Sequence, residues 1–208
     1  MLVADAQTRR PGRPRAGGED KRERILAEAI ALFARKGYAA TSVADIAAAA
    51  QISKAGLLHH FGSKEGLYSA VLEHRDAVDV LALESGSVWD LLEGFADLMD
   101  RNSRTPSMVG LYMAMAVDGT AADHPAHRWL VQHFENAVLT LERAFEQGKT
   151  VGIVHPDAPS LALARSVVAI ADGIQLQWLC EDVPGGKPVR MGDQMRQLAD
   201  LIQARWAT

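Results

Sequence analysis

The residues of this chain best suited to chemistry form a short polar run, Ser53-Lys54-Ala55-Gly56, followed closely by His59, His60 and Lys64. Hydroxyl, ammonium and imidazole groups at that density suit contacts to phosphates and base edges, and small side chains let a backbone come near a base pair. Other chemistries fit less well. His59 and His60 are adjacent, so a helix would splay them by about 100° and away from a shared metal ion. His124 and His127 flank Pro125 at what reads as an exposed helix start. His74 and His133 fall on apolar stripes, where burial against hydrogen-bonding neighbours is expected. Cys180 precedes Glu181 and Asp182, which disfavour a thiolate, so a packed side chain near a helix end is expected rather than a redox centre. No acid, base and nucleophile converge in the pattern, and no glycine loop has phosphate-cradling spacing. The expectation is no enzyme, no metal site and no cofactor.

Charge is unevenly placed. Residues 1–64 hold 11 Lys and Arg against 6 Asp and Glu, a balance of +5, whereas residues 65–208 hold 11 against 20, a balance of −9, together giving the overall −4. A basic end on an acidic remainder suggests that the first third meets a polyanion and the rest is repelled by it. The arginine-rich start lacks the apolar stretch of a signal peptide, no apolar run approaches the ~20 residues of a membrane span, and one cysteine excludes an internal disulfide. A cytoplasmic protein is expected.

The elements that must position the polar run are helices. Residues 1–18, with Arg9, Arg10, Arg13 and Arg15 among Pro11, Pro14, Gly12, Gly17 and Gly18, read as a flexible basic arm. Ile25, Ala29, Leu32 and Phe33 predict a first helix over about 20–36, stopped by Gly37. Ser42 with Asp45 resembles a capping box that opens a short helix with Val43, Ile46 and Ala47 inward. A tight turn at Gln51-Ile52 follows. Ser53 then caps a third helix held by Leu57 and Phe61, and Ser63 caps a fourth carrying Leu67, Val71, His74, Val78 and Leu81. Two short helices joined by a tight turn in a basic segment form a helix-turn-helix, whose second helix enters the DNA major groove. Helix N-termini capped at Thr41, Ser42 and Ser63 would turn free N–H groups towards phosphates. Beyond Gly86 the periodicity is helical throughout, over about 124–147 for the longest element. Val151–Val154 is the one β-like run and is too short to found a sheet. The fold class is all-α.

The run Gly37-Tyr38-Ala39-Ala40-Thr41-Ser42-Val43-Ala44-Asp45-Ile46-Ala47, then Ile52-Ser53-Lys54-Ala55-Gly56-Leu57-Leu58-His59-His60-Phe61, then Ser63-Lys64-Glu65-Gly66-Leu67, resembles the DNA-binding head of the TetR family of transcription regulators. The resemblance covers about residues 20–70. It implies a three-helix head over 19–66, with its helix-turn-helix at about 42–61, followed by a helical body over 67–208 that dimerises and binds a small effector. Two positions depart from the family pattern. Gln51 stands where the turn usually has glycine, and Leu58 stands where the third helix usually has an aromatic hydroxyl, which shifts phosphate binding towards His59, His60 and Lys64. Gly12-Arg13-Pro14 resembles the core of an AT-hook, which lays arginine into a narrow A·T-rich minor groove. The residues expected on DNA are Arg13, Tyr38, Thr41, Ser42, Ser53, Lys54, Ala55, Gly56, His59, His60 and Lys64.

In the body, a methionine-rich and aromatic set at helical spacing is core first. Part of it can line a cavity for an apolar or aromatic effector: Phe95, Met99, Leu111, Tyr112, Met115, Trp129 and Trp178, with His133 and Gln175 as polar groups. Trp178, Leu179, Leu198 and Ile202 suggest a second apolar surface on the last two helices, suited to a two-fold four-helix dimer interface where Gly173 permits close approach. The resemblance implies a homodimeric repressor that leaves a palindromic double-stranded operator when the effector binds. Two alternatives remain at this point: a DNA-binding regulator with no small-molecule effector, or an activator whose ligand strengthens binding.

Overall fold

The computed structural model describes residues 16–80, 86–180 and 189–208. Its helices are α1 (Ala16–Ala40), α2 (Val43–Ala49), α3 (Lys54–Phe61), α4 (Lys64–Val80), α5 (Val88–Asn102), α6 (Pro106–Asp118), α7 (His127–Thr150), α8 (Ser160–Leu179) and α9 (Met191–Trp206). Among the described residues no strand occurs. The β-like run contributes a lone antiparallel bridge, Val154 to Ala207, and the His155 N–H donates to the Trp206 carbonyl at 2.8 Å. Arg13 and the rest of its tripeptide lie outside the described residues, as does Leu81.

Local chemistry explains the starts of α2 to α6. The capping boxes at Ser42/Asp45 and Ser87/Asp90 both form. Ser53 and Ser63 accept the N–H groups of Gly56 and Gly66, each at 3.0 Å. Pro106 occupies the first turn of α6, where its missing N–H leaves no bond unmade. Three boundaries differ from the sequence reading. α1 begins at Ala16 and takes in Gly17 and Gly18, which were expected in the arm. Gly37 does break the regular helix, at φ 75° and ψ 168°, but a further turn carries on to Ala40. α7 starts at His127 because residues 124–126 form a separate turn, in which His124 Nδ1 accepts the Ala126 N–H at 3.2 Å.

The turn between α2 and α3 holds Gln51 with φ at +54°. The Ile52 N–H reaches back to the Ala47 carbonyl at 2.9 Å and the Gln51 N–H to the Ala48 carbonyl at 3.1 Å, the paired bonds of a Schellman ending. A left-handed backbone costs a residue with a Cβ roughly 1–2 kcal/mol, and the greater unfolded freedom of glycine offsets part of any relief. Gln51→Gly is therefore expected to stabilise the protein by about 0.5–1 kcal/mol, raising Tm by about 1–4 °C in a thermal melt. An unchanged or lower Tm would show that the turn carries no such strain.

Two hydrophobic clusters hold the helices together. The first joins Ile25, Ala29 and Phe33 of α1, Ile46 of α2, Leu57 of α3 and Leu67 and Val71 of α4 to Leu111, Tyr112 and Met115 of α6 and Leu130 of α7. The second gathers α5, α7, α8 and α9 around Leu92, Leu141, Phe145, Val167, Ile174 and Met195. Phe134 packs against both. The expected division at residue 66 thus falls inside α4, and the head's apolar interior continues into the body.

α5 and α9 approach closely enough that a Cβ on Gly192 would collide with the Asp100 carboxylate. Beside it, Arg196 of α9 donates to Glu93, Asp97 and Asp100 of α5 at 2.7, 2.7 and 3.0 Å. Those bonds, from Glu93 first, raise the guanidinium pKa further above its ordinary value. Removing the arginine would leave three carboxylates along one face of α5. Arg196→Met is expected to destabilise by about 1 kcal/mol, the upper range for a solvent-exposed ion-pair network, as measured by urea unfolding. An unchanged midpoint would show the clamp to be inert.

Candidate nucleic-acid interface

α3 is an amphipathic helix with one anchored side. Leu57 is 0 % exposed within the first cluster, whereas Ser53, Lys54, Ala55, His59 and His60 are exposed and Gly56 and Leu58 half-buried. Phe61, half-buried at the end of α3, lies under the Arg22 guanidinium of α1 at 5.6 Å. Ser53 is committed through its Oγ to the cap, which presents the first turn of α3 to solvent. The rings of His59 and His60 meet edge-on at 5.9 Å, with no ligand set around them; among the described residues no cluster of metal-ligating side chains occurs.

A second group sits where α1 meets α4. The Tyr38 hydroxyl donates to Glu65 Oε1 at 3.0 Å, and the Lys64 ammonium lies 4.1 Å from the Tyr38 ring centre and 3.5 Å from the Ala39 carbonyl. Desolvation, then the bond to Glu65, pushes the Tyr38 hydroxyl up to about 12, so it stays protonated as a donor at neutral pH. Glu65 is held below the usual carboxylate range by its own backbone N–H first, then by Ser63 and Tyr38. Asp45 is likewise lowered, by the Ser42 backbone N–H first. The help it gives α2 is therefore present above the ordinary carboxylate range and is lost only as pH falls through its lowered value. No such pairing between residues 38 and 64 is legible from local spacing.

Several expected site residues are placed differently from the sequence reading. Thr41 is 1 % exposed and its single hydroxyl proton is shared between the Gly37 carbonyl at 2.8 Å and, more weakly, the Leu32 carbonyl at 3.3 Å. It closes α1 and turns no helix end towards a phosphate. Ser42 alone caps α2. Cys180 is exposed rather than packed. Ile202 is 6 % exposed and faces its own core instead of an outer surface, and Leu198 packs beside it.

The nine residues expected around an effector divide between the two clusters. Leu111, Tyr112 and Met115 belong to the first, with Trp129 packed against it. Phe95 and Met99 belong to the second, with Trp178 at its edge. His133 joins the groups near the first, stacked on Trp129 at 4.8 Å and edge-on to Tyr112 at 5.6 Å. The Tyr112 hydroxyl donates to Asp172 of α8 at 3.0 Å, a partner the sequence reading missed. Gln175, 2 % exposed, reaches the Ala171 carbonyl at 3.5 Å. An open cleft of about 710 Å³ lies elsewhere, between the end of α7 and the start of α8, lined by Glu142, Glu146, Lys149 and Arg165 among others.

Comparison with known proteins matches this geometry to a family. The family model described as bacterial regulatory proteins, tetR family, matches residues 25–71. An HTH-type transcriptional repressor of Mycobacterium tuberculosis, Rv3405c, is 37 % identical over 162 residues, covering 78 % of this chain and 73 % of the relative. The A-factor receptor protein of Streptomyces griseus is 26 % identical over 157 residues, 73 % of this chain and 52 % of that protein. The crystal structure of a TetR transcriptional regulator from Chloroflexus aurantiacus superposes with a TM-score of 0.76 at 23 % identity, covering 92 % of this chain and 98 % of that one, and so shares the fold. With an exposed α3 on an anchored helix-turn-helix and a relative matched along most of its length, the chain belongs to the TetR family of DNA-binding transcription regulators, which are not enzymes.

Proposed function

We propose that the protein is a homodimeric, cytoplasmic repressor that places α3 of each copy in successive major grooves of a palindromic operator and is released by a small apolar or aromatic effector. The observation that carries the DNA half of this reading is the exposure of Ser53, Lys54, Ala55, His59 and His60 around a fully buried Leu57. Lys64 and Tyr38 flank that face and suit phosphates. Two heads would sit one helical turn of DNA apart or a multiple of it, ~34–36 Å per turn. Dimerisation falls to the outer sides of α8 and α9, where Ile170, Leu176, Leu179 and Leu201 are exposed and nothing lies within 4 Å of a Cβ built on Gly173.

The release half draws on the relative named as a receptor and on the aromatic junction of Tyr112, Trp129, His133 and Phe134 between the two clusters. Effector and operator must then weaken each other by the same factor. Compounds found by thermal shift should bind less tightly when operator duplex is present, and equal affinities would remove the switch. A second reading, a regulator without a small-molecule effector, is favoured by the burial of Phe95, Met99, Leu111, Tyr112, Met115 and Gln175 in packed cores. It expects no compound to shift the melt at all.

Lys64→Ala provides a separate check on the DNA face. Losing a phosphate contact should weaken binding to all sequences alike and reduce the slope of log K against log salt by about one. Fluorescence anisotropy over a salt series reads both quantities. A change confined to one base preference would contradict the phosphate role.

A further inference from the structure

We infer that Ala55 and His59 are the base-reading pair of α3, Ala55 meeting a thymine methyl and His59 a guanine. The assignment rests on the reading of α3 as the helix that enters the groove. Leu57, at 0 % exposure, fixes which way the helix faces. At about 100° per residue, Ala55 and His59 each lie roughly 160° from Leu57 and so occupy the outermost edge. Both are exposed. Lys54 and His60 are exposed as well, but each lies only about 60° from Leu57, on opposite flanks, where a groove presents its phosphate walls rather than its floor. Ser53 is engaged as the helix cap, and Gly56 and Leu58 are half-buried.

The chemistry of each outer residue selects a partner. Alanine has neither donor nor acceptor, and the one base edge in the major groove that offers it an apolar surface is the C5-methyl of thymine. Histidine carries an N–H in either protonation state. Guanine shows two adjacent acceptors, N7 and O6, and no donor, whereas adenine sets an amino donor beside its N7. An imidazole N–H therefore meets guanine without opposition. Ala55 and His59 stand one helical turn apart, about 6 Å along the axis, a reach of about two base-pair steps. Each operator half should hold the thymine and the guanine within that reach.

The test uses the full chain and duplexes that it selects from a random-sequence pool. In a selected duplex, each thymine is replaced by uracil in turn, which removes the methyl alone, and each guanine by 7-deazaguanine. One uracil position per half-site should lower affinity about fourfold, the worth of one buried methyl, and Ala55→Gly should abolish that difference. One 7-deazaguanine position should lower affinity about tenfold for the parent protein and leave His59→Ala unaffected. Pool selection by His59→Asn should move the preference at that base pair from guanine to adenine, the usual partner of asparagine. Uniform tolerance of uracil, or the same selected sequence for His59→Asn and the parent, would overturn the assignment while DNA reading by α3 stood. Failure of the parent to enrich any sequence would sink the groove reading and this inference together.

Discussion

Leu176→Arg is expected to convert the protein to a folded monomer and to lower operator affinity by about 10²-fold or more. Leu176 is 54 % exposed on α8, three residues and so nearly one turn from Gly173, where nothing lies within 4 Å of an added Cβ. Leu201 of α9 is also exposed, at 70 %. In the proposed isologous interface a residue near the axis would meet its own copy, so one substitution would bring two guanidinium groups together away from water. The monomer keeps its head and its cores, since Leu176 belongs to neither cluster. What it loses is the linked second half-site, and joining two binding events is worth 10²–10⁴ in affinity. Sedimentation velocity gives the mass, circular dichroism the fold, and anisotropy the affinity. A dimer that persists, or a monomer that binds the operator as tightly as before, would refute the interface.

Phe33→Ala carries the largest expected effect on stability. Phe33 is fully buried, edge-on to Tyr68 at 4.9 Å and stacked near Tyr38 at 5.8 Å. Truncating a buried phenylalanine costs about 3–5 kcal/mol, combining lost transfer free energy with the cavity left behind. Against a total of roughly 5–15 kcal/mol that is a large share. At about 2–4 °C per kcal/mol for a chain of this size, Tm should fall by about 6–20 °C. Because α1, α4 and α6 share this cluster, head and body should unfold in one transition, followed at once by tyrosine fluorescence and by far-ultraviolet circular dichroism. A loss under ~1 kcal/mol, or two separate transitions, would mean that the cluster is not the common core described.

Much of the head was legible because its signals are local. Ser42 with Asp45, Ser53 three residues before Gly56, and Leu57 with Phe61 each report on neighbours within one or two turns, and those elements formed as read. Gln51 was a departure from a glycine pattern, and the structure gives it the left-handed backbone such a turn requires. Thr41 misled because its type suits a cap as well as Ser42 does, while one of its carbonyl partners, Leu32, lies nine residues back. The Lys64 ammonium over Tyr38 and the Tyr112 bond to Asp172 join residues far apart in sequence, and periodicity carries no information on such pairs. In the body, apolar spacing showed which residues turn inward but not which cluster each joins. Ile202 was therefore assigned to an outer face that Leu201, its neighbour, occupies instead. The same ambiguity spread the effector set over two cores.

The apolar cluster shared by α1 and α6 bears on protein engineering. Regulators are attractive parts for biosensors, and joining the operator specificity of one to the sensing half of another invites a cut near residue 66. Here that cut would pass through α4 and strip Ile25, Ala29 and Phe33 of their neighbours Leu111, Tyr112 and Met115. A transplanted head would bring a surface shaped for one particular α6 and meet a stranger. Chimeras of this protein should keep α6 matched to the head it supports, or redesign both sides of that seam together.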